Sequence, residues 1–399
     1  KTKFRHERGL IMAWWIKKQN LSEEQRQYIQ SIKNNLNHVH WVRGAAGTGK
    51  TTVLAALTQE LKLEYPNASF CYLTYTHALK DLAISAFKEE NVEGVHFLTH
   101  TKFLKNNWRC DFVFLDEVQD ISAEDLNTIK KLSTHLIIAG DCAQSIYEQS
   151  ATETEIISTV NPFQHVLMII HRLTEFLAKI AFSILPNNHL LSGKPGNTLA
   201  NTTARLIQFE NQNQEFIWTA KEALSRARPD KPSCILLSHH KDISSLIQVI
   251  VQHFCSKNAD ELFAYQTGKS DRYDYRQVNA YLRDNNINIR YLGNDFGNFN
   301  EMPSKPMVYL MTYHSSKGLD FEQVFIPQLN SNKDIVKPFV LEKNPDLDKR
   351  LLFVATTRSR CNLFMSYHTS TPHKLIQNLP NITQIKYQPN QDDEDEEFF

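Results

Sequence analysis

The sequence predicts an α/β protein with two lobes, each built on a parallel sheet that is flanked by helices. Short apolar runs rich in β-branched and aromatic residues alternate with stretches of helical spacing, which is the pattern of a doubly wound sheet. The pattern occurs twice, and it is interrupted between Tyr147 and Pro162, where Ser, Thr and Glu dominate. A chain of 399 residues with 41% hydrophobic residues and no net formal charge can bury a core in each lobe, which excludes disorder as its dominant state.

Each lobe is predicted from its own series of elements. The first has buried strands at 39–42, 70–73, 112–115 and 135–139 and helices at 51–62 and 123–132. The second set begins near residue 166 and includes strands at 234–237, 308–311 and 324–326 and helices at 243–254 and 274–284. We therefore predict a basic extension at 1–20, a first lobe at 21–155, a second lobe at 156–390 and an acidic, disordered tail at 391–399.

The charges are distributed unevenly along the chain. Six of the 44 acidic residues form the run 392–397, which leaves 38 acidic against 44 basic residues elsewhere. The body is therefore mildly basic, although neither value alone is a signature of nucleic-acid binding. The acidic tail and the basic N-terminal extension, which contains Trp14 and Trp15, are candidate contacts for a protein partner. A solvated tail without a partner is the alternative.

The sequence also indicates the cellular compartment of the protein. No apolar run approaches the roughly 18 residues of a membrane helix, and the N-terminus lacks the order of a secretion signal. A cytoplasmic location and no membrane contact are therefore expected. The six cysteines are scattered without a close pair, which favours reduced, buried thiols over a disulfide framework or a zinc site.

Residues 44–51 match G-x-x-x-x-G-K-[ST] between a predicted strand and a predicted helix. Such a loop turns successive backbone N–H groups toward phosphates, and the helix N-terminus adds its positive dipole. Lys50 would reach the β- and γ-phosphates, and Thr51 would hold Mg²⁺. The predicted nucleotide-binding residues here are Gly44, Ala45, Ala46, Gly47, Thr48, Gly49, Lys50, Thr51 and Thr52.

An acid pair supplies the second part of this site. Asp116 and Glu117 directly follow the apolar strand at 112–115. A strand end beside the loop would let Asp116 hold Mg²⁺ with Thr51, and would let Glu117 orient or deprotonate the attacking water. A helix N-cap is the alternative for an isolated acid pair, but it is disfavoured beside a phosphate loop.

Further motifs identify a family. Asp116-Glu-Val-Gln-Asp120 and Gly140-Asp-Cys-Ala-Gln-Ser-Ile-Tyr147 resemble motifs of the UvrD/Rep-type superfamily 1 helicases. Other segments match in the same order, at 21–25, 73–76, 99–101, 171–172, 312–321 and 350–358. The resemblance implies two RecA-like P-loop NTPase lobes, with ATP and Mg²⁺ as cofactors in the cleft between them.

The resemblance also implies roles for individual residues. Gln25 would recognise adenine, Gln144 would sense the γ-phosphate, and Asp320 would belong to the nucleotide site. Arg172 and Arg358 would reach the nucleotide from the second lobe, so that hydrolysis opens and closes the cleft. Short polar groups at strand ends would contact single-stranded DNA: Thr74, Thr76, Thr99, His100, Thr312 and His314. Helix capping or turn chemistry is an equal alternative for any single threonine.

The chain departs from the family in ways that bear on unwinding. Only 23 residues separate Thr76 from His100, and 139 separate Arg172 from Thr312, which indicates a short form without the large insertions of both lobes. The family's Trp-Arg-Gly-Ala segment is replaced by Glu148-Gln-Ser-Ala151, and His171 stands where the family has tyrosine. ATP hydrolysis is thus better supported than duplex unwinding. One alternative is a nucleotide- or DNA-sensing ATPase that acts with a partner such as a nuclease in phage defence or repair, and another is an RNA-directed motor.

Overall fold

A computed structural model describes most of the chain, and its contacts divide into two compact units. The described residues are 20–75, 79–80, 83–84, 87–88, 92–147, 150–186, 194–197, 202–256, 274–293, 296–299, 301–302 and 304–389. The first unit comprises the described residues within 1–178, 185–198 and 293–303, and the second comprises the rest. The predictions on the N-terminal extension through residue 19, on Thr76, on Glu148 and on the acidic tail lie outside the described residues.

The first unit contains a six-stranded parallel sheet. Its strands are β1 (His40–Gly44), β2 (Phe70–Thr74), β3 (Val95–Thr99), β4 (Cys110–Leu115), β5 (Ser133–Gly140) and β6 (Phe163–Leu167). Their order across the sheet is β3-β2-β4-β5-β1-β6. The carboxyl ends of β1, β2 and β4 therefore share one edge, and the sequence motifs of this unit follow these ends.

Helices and a small second sheet complete the first unit. The helices are α1 (Glu23–Lys33), α2 (Lys50–Glu64), α3 (His100–Asn106), α4 (Ala123–Lys131) and α5 (Glu153–Val160). Strands β7 (Ile169–Thr174) and β8 (Lys194–Asn197) pair in parallel, and the division between units falls within α6 (Glu175–Ile184). Among the described residues, no helix has the length and apolar character needed to span a membrane.

Alternate residues of the central strands enter two separate cores. Phe112 and Phe114 pack in the cluster that includes α1 and α2, whereas Val113 and Leu115 pack in the cluster that includes α4 and α5. This is the alternation that a sheet covered on both faces requires. The two cores hold the strand ends, and hence the site at those ends, in fixed register.

The second unit is built on a seven-stranded parallel sheet. Its strands are β9 (Thr203–Gln208), β10 (Ser233–Leu237), β11 (Ile289–Tyr291), β12 (Val308–Thr312), β13 (Phe321–Ile326), β14 (Ser359–Tyr367) and β15 (Thr383–Lys386). Their order is β11-β12-β10-β13-β14-β9-β15. Its helices are α7 (Gln212–Arg226), α8 (His240–Cys255), α9 (Tyr275–Asp284), α10 (Pro338–Leu341) and α11 (Leu347–Thr356). The predicted fold class, two RecA-like lobes with parallel sheets flanked by helices, is confirmed.

The boundary between the lobes differs from the predicted one at 155/156. Strand β6 pairs with β1 along its whole length, and the first unit continues to Ala178. The polar stretch that suggested a linker begins a helix instead, because Thr152 and Glu155 form a reciprocal capping box at the start of α5. A Thr-x-x-Glu signal was therefore mistaken for a domain boundary.

The expectation of reduced thiols is wrong for one pair of cysteines. Cys71 on β2 and Cys110 on β4 form a disulfide, with 6.6 Å between their Cα atoms. They are 39 residues apart in sequence, and only the adjacency of β2 and β4 in the sheet brings them together. Cys234, Cys255 and Cys361 are free thiols.

Candidate nucleotide site

The loop between β1 and α2 has the conformation of a phosphate-binding loop. Gly47 and Gly49 have φ values of 80° and 86°, in the left-handed region that side chains rarely adopt. The loop is also closely packed, since a Cβ on Gly49 would lie 2.4 Å from Nε2 of Gln25. The glycines of the motif are thus needed both for backbone conformation and for close approach.

Lys50 lies at the first turn of α2 and is buried. Its ammonium group donates to the carbonyl oxygens of Gly44 at 2.9 Å and Ala45 at 3.0 Å. Burial lowers the pKa of Lys50, while the nearby carboxylates, led by Asp141, act in the opposite direction. The two hydrogen bonds place the Lys50 side chain directly on the loop.

Thr51 and Asp116 form the acidic centre of the site. The Thr51 hydroxyl donates to Oδ2 of Asp116 at 2.7 Å, and Asp116 is 2% exposed. Burial, followed by the charge of Glu117, raises the pKa of Asp116 to about 6. A hydroxyl and a carboxylate at this separation are the hard oxygen ligands that Mg²⁺ prefers, so these residues fit a magnesium-nucleotide site.

A chain of hydrogen bonds leads from Glu117 to Gln144. The side-chain amide of Gln119 donates to Oε2 of Glu117 at 2.5 Å and accepts from the Asp141 N–H at 3.0 Å. The Gln144 amide then donates to Oδ2 of Asp141 at 2.9 Å. Glu117 itself has a φ of 57°, a conformation that usually persists only where surrounding contacts enforce it.

Gln144 was predicted as a site residue, but Gln119, which is fully buried and joins the two motifs, was not. The signal that could have identified it lies at Gly140. A Cβ on Gly140 would come within 2.1 Å of Oε1 of Gln119, so only glycine admits this contact. Gly140, which directly precedes Asp141 at the end of β5, therefore leaves room for the Gln119 side chain, which bonds to Glu117.

Gln25 braces the loop from α1. Its side-chain oxygen Oε1 accepts from the Ser22 N–H at 3.0 Å, and its side-chain nitrogen Nε2 donates to the Thr48 carbonyl at 3.2 Å. These bonds tie the start of α1 to the phosphate loop. Recognition of adenine by Gln25 stays a prediction.

Arg172 is in the first unit, contrary to the expectation that it comes from the second. The backbone N–H groups of His171 and Arg172 donate to the Gly47 carbonyl at 2.8 and 3.3 Å. A Cβ on Gly47 would lie only 2.4 Å from Cβ of Arg172. Because β6 returns to the first sheet, β7 passes beside the loop, and Arg172 belongs to the same unit as Lys50.

Arg358 and Asp320 are in the second unit and are buried. The Arg358 guanidinium donates to the carbonyls of Val354 at 2.8 Å and Leu319 at 2.9 Å, and to the Thr357 hydroxyl at 3.0 Å. Asp320 forms an ion pair with Arg360 at 3.5 Å. These contacts stabilise the loop before β13, and the roles of both residues toward nucleotide stay predictions.

Three residues of the first unit that are predicted to contact single-stranded DNA lie together. Thr74 and Thr99 are register partners at the carboxyl ends of β2 and β3, and His100 follows directly. The Thr99 hydroxyl also caps α3 by accepting from the Lys102 N–H at 3.4 Å. The His100 ring stacks on Tyr75 with centroids 5.1 Å apart. Helix capping is thus one role of Thr99.

The corresponding residues of the second unit follow β12. The Thr312 hydroxyl accepts from the Ser315 N–H at 3.1 Å and lies 2.7 Å from the Ser315 hydroxyl oxygen. Burial, ahead of the charge of Lys317, lowers the pKa of His314 to about 4, so this ring is neutral at pH 7. Thr312 therefore has the turn-forming role that the sequence left open.

Comparison with known proteins supports the family that the sequence motifs indicate. A family model described as an AAA domain matches residues 25–150, and one described as a UvrD-like helicase C-terminal domain matches residues 285–370. The ATP-dependent DNA helicase Rep of Buchnera aphidicola subsp. Schizaphis graminum is 44% identical over 71 residues, which cover 17% of this chain and 10% of the relative. The Rep helicase of Buchnera aphidicola subsp. Baizongia pistaciae is 42% identical over 64 residues, which cover 15% and 9%.

Solved structures of Arterivirus nonstructural protein 10, a helicase, are also similar. The protein alone has a TM-score of 0.43 and 14% identity, covering 86% of this chain and 62% of the other. Its complex with DNA has a TM-score of 0.44 and 14% identity, covering 86% and 63%.

A parallel-sheet unit with this loop and acid pair is the fold and site of a P-loop NTPase. With the two family models and the Rep relatives, the class becomes specific: the chain belongs to the UvrD/Rep-type superfamily 1 helicases. The matched segments span about a tenth of each curated relative.

Proposed function

We propose that the protein is an ATP-dependent motor that hydrolyses ATP at the phosphate loop of the first unit and is stimulated by single-stranded DNA. The main support is the 2.7 Å contact between Thr51 and Asp116, next to a Glu117 that Gln119 holds in place. Family membership supports the same activity. The Rep relatives are named as ATP-dependent DNA helicases.

In this proposal the residues of the first unit share the work of phosphoryl transfer. The loop N–H groups and Lys50 bind the phosphates, while Thr51 and Asp116 hold Mg²⁺, which neutralises phosphate charge when it is bound. Glu117 orients the attacking water and accepts its proton. Arg172 adds positive charge from the same unit, because its backbone is fixed on Gly47.

Nucleic acid would be bound along the backbone. In the first unit the proposed contacts are Thr74, Thr99 and His100, and in the second they are Thr312 and His314. Hydroxyl and imidazole groups suit phosphate and sugar contacts, which carry no base sequence and do not separate DNA from RNA. RNA is therefore the second polymer to test.

A second candidate function is a nucleotide- or DNA-sensing ATPase that does not unwind. It is favoured by the short internal segments, with 23 residues between Thr76 and His100, and by the replacement of the Trp-Arg-Gly-Ala segment. Loss of one stacking aromatic removes about 1–3 kcal/mol of binding per base. Such a protein would act with a partner, for example a nuclease, through its acidic tail or N-terminal extension.

The test is ATP turnover with and without single-stranded DNA or RNA, followed by strand displacement on a tailed duplex. Stimulation with displacement supports the helicase, and stimulation without displacement supports the sensor. Glu117→Gln should abolish turnover while ATP still binds, because the base is lost and the phosphate contacts remain. Normal turnover in this variant would contradict the assignment of Glu117.

A further inference from the structure

Glu24 is a carboxylate of α1 that the proposed mechanism leaves without a role. Its two oxygens accept hydrogen bonds from the backbone N–H groups of Met168 at 2.9 Å and Ile169 at 3.4 Å. One turn further along α1, the Tyr28 hydroxyl donates to the Val166 carbonyl at 2.9 Å. Helix α1 thus holds the β6–β7 segment, residues 166–169, at two points on one face of the helix.

The held segment leads directly to the phosphate loop. Ile169 begins β7, and two and three residues later the N–H groups of His171 and Arg172 donate to the Gly47 carbonyl. On the other side, Gln25 donates to the carbonyl of Thr48. Adjacent residues of α1 therefore fix both the loop and the strand that lies against it.

We infer that Glu24 is a positioning residue that fixes Arg172 against the phosphate loop. This inference rests on the proposed function, in which Arg172 adds positive charge to the site, and it assigns that charge to the terminal phosphate of ATP. A carboxylate is suited to the task because it offers only acceptors to two adjacent N–H donors, and such charge-assisted bonds are stronger than neutral ones. An amide of the same shape would turn a donor toward one of these N–H groups.

The chain supplies a matched control in Glu23. Glu23 is on the same turn and carries the same charge, but its side chain is 72% exposed, and it contacts Arg26 at 3.6 Å and the Gln27 amide at 3.2 Å, both on α1 itself. Glu24→Gln and Glu23→Gln therefore remove one charge each from the start of α1. Only the first disturbs the contact with the β6–β7 segment.

The experiment measures kcat, KM and the affinities for ADP and for a non-hydrolysable ATP analogue. For Glu24→Gln we expect kcat to fall about tenfold, which corresponds to the loss of one charged hydrogen bond. Affinity for the triphosphate analogue should fall, whereas affinity for ADP should stay, because ADP lacks the phosphate that Arg172 serves. Glu23→Gln should match the wild type. Tyr28→Phe should change the ratio of the affinities for the triphosphate analogue and for ADP by a smaller factor than Glu24→Gln does.

A double-mutant cycle decides whether Glu24 acts through Arg172. In an Arg172→Ala background, Glu24→Gln should have no further effect on the ratio of the two affinities. An additive effect, or equal losses for ADP and the analogue, would overturn the inference. If the wild type does not hydrolyse ATP, the proposed function fails, but the affinity ratio needs no turnover and still tests Glu24. Tyr28→Phe provides the same test if Glu24→Gln does not fold.

Discussion

In the first unit the predicted site residues bond to one another, whereas in the second unit they bond to the loops that present them. Thr51 contacts Asp116, and Glu117 is joined to Gln144 through Gln119 and Asp141. In the second unit Arg358 donates to two backbone carbonyls and to the hydroxyl of the adjacent Thr357. Residues that belong to equally specific sequence motifs therefore have different kinds of hydrogen-bond partner in the two units. Substitutions should reduce turnover in the first unit and stability in the second.

The largest expected effect of this difference is at Arg358. Arg358→Ala removes the donor to the buried carbonyl of Leu319 and one of two donors to the carbonyl of Val354, which should cost about 2–4 kcal/mol of unfolding free energy. Scanning calorimetry measures this loss. Arg276→Ala, at a side chain of the same unit that is 78% exposed, is the control and should change stability little. Unchanged stability with abolished turnover would break the comparison, since Arg358 would then act as the first-unit residues do.

A smaller effect, on rate, is expected at Gln119. Gln119→Leu removes the donor to Glu117 and the acceptor for the Asp141 N–H, so the acid pair loses its link to β5. We expect kcat to fall about tenfold with little change in the affinity for ADP. Gln27→Leu is the control, because Gln27 is exposed and its amide donates to Glu23, which lies outside the site. A lowered melting temperature with normal kcat would make Gln119 a structural residue only.

The same two units show how far sequence can predict a site. Lys50, Thr51, Asp116 and Glu117 were predictable because each motif is contiguous and its strand-to-helix context fixes the direction of its side chains. The unit to which Arg172 belongs was not, because it depends on the return of β6 to the first sheet. Gln119 was missed for a related reason, since its contact joins the ends of two strands that only the sheet order brings side by side.

The smallest predicted effect is at Thr312 of the second unit, and Thr51 of the first unit is the residue to compare with it. The Thr312 hydroxyl accepts from the Ser315 N–H, so Thr312→Val should cost about 1 kcal/mol of stability, as loss of a capping hydroxyl does. Thr51→Val removes a hydroxyl that contacts Asp116 and should reduce turnover with less effect on the melting temperature. Thr312→Ser keeps the hydroxyl and should restore stability. If Thr312→Val instead weakens single-stranded DNA binding at unchanged stability, Thr312 contacts nucleic acid and its turn-forming bond is secondary.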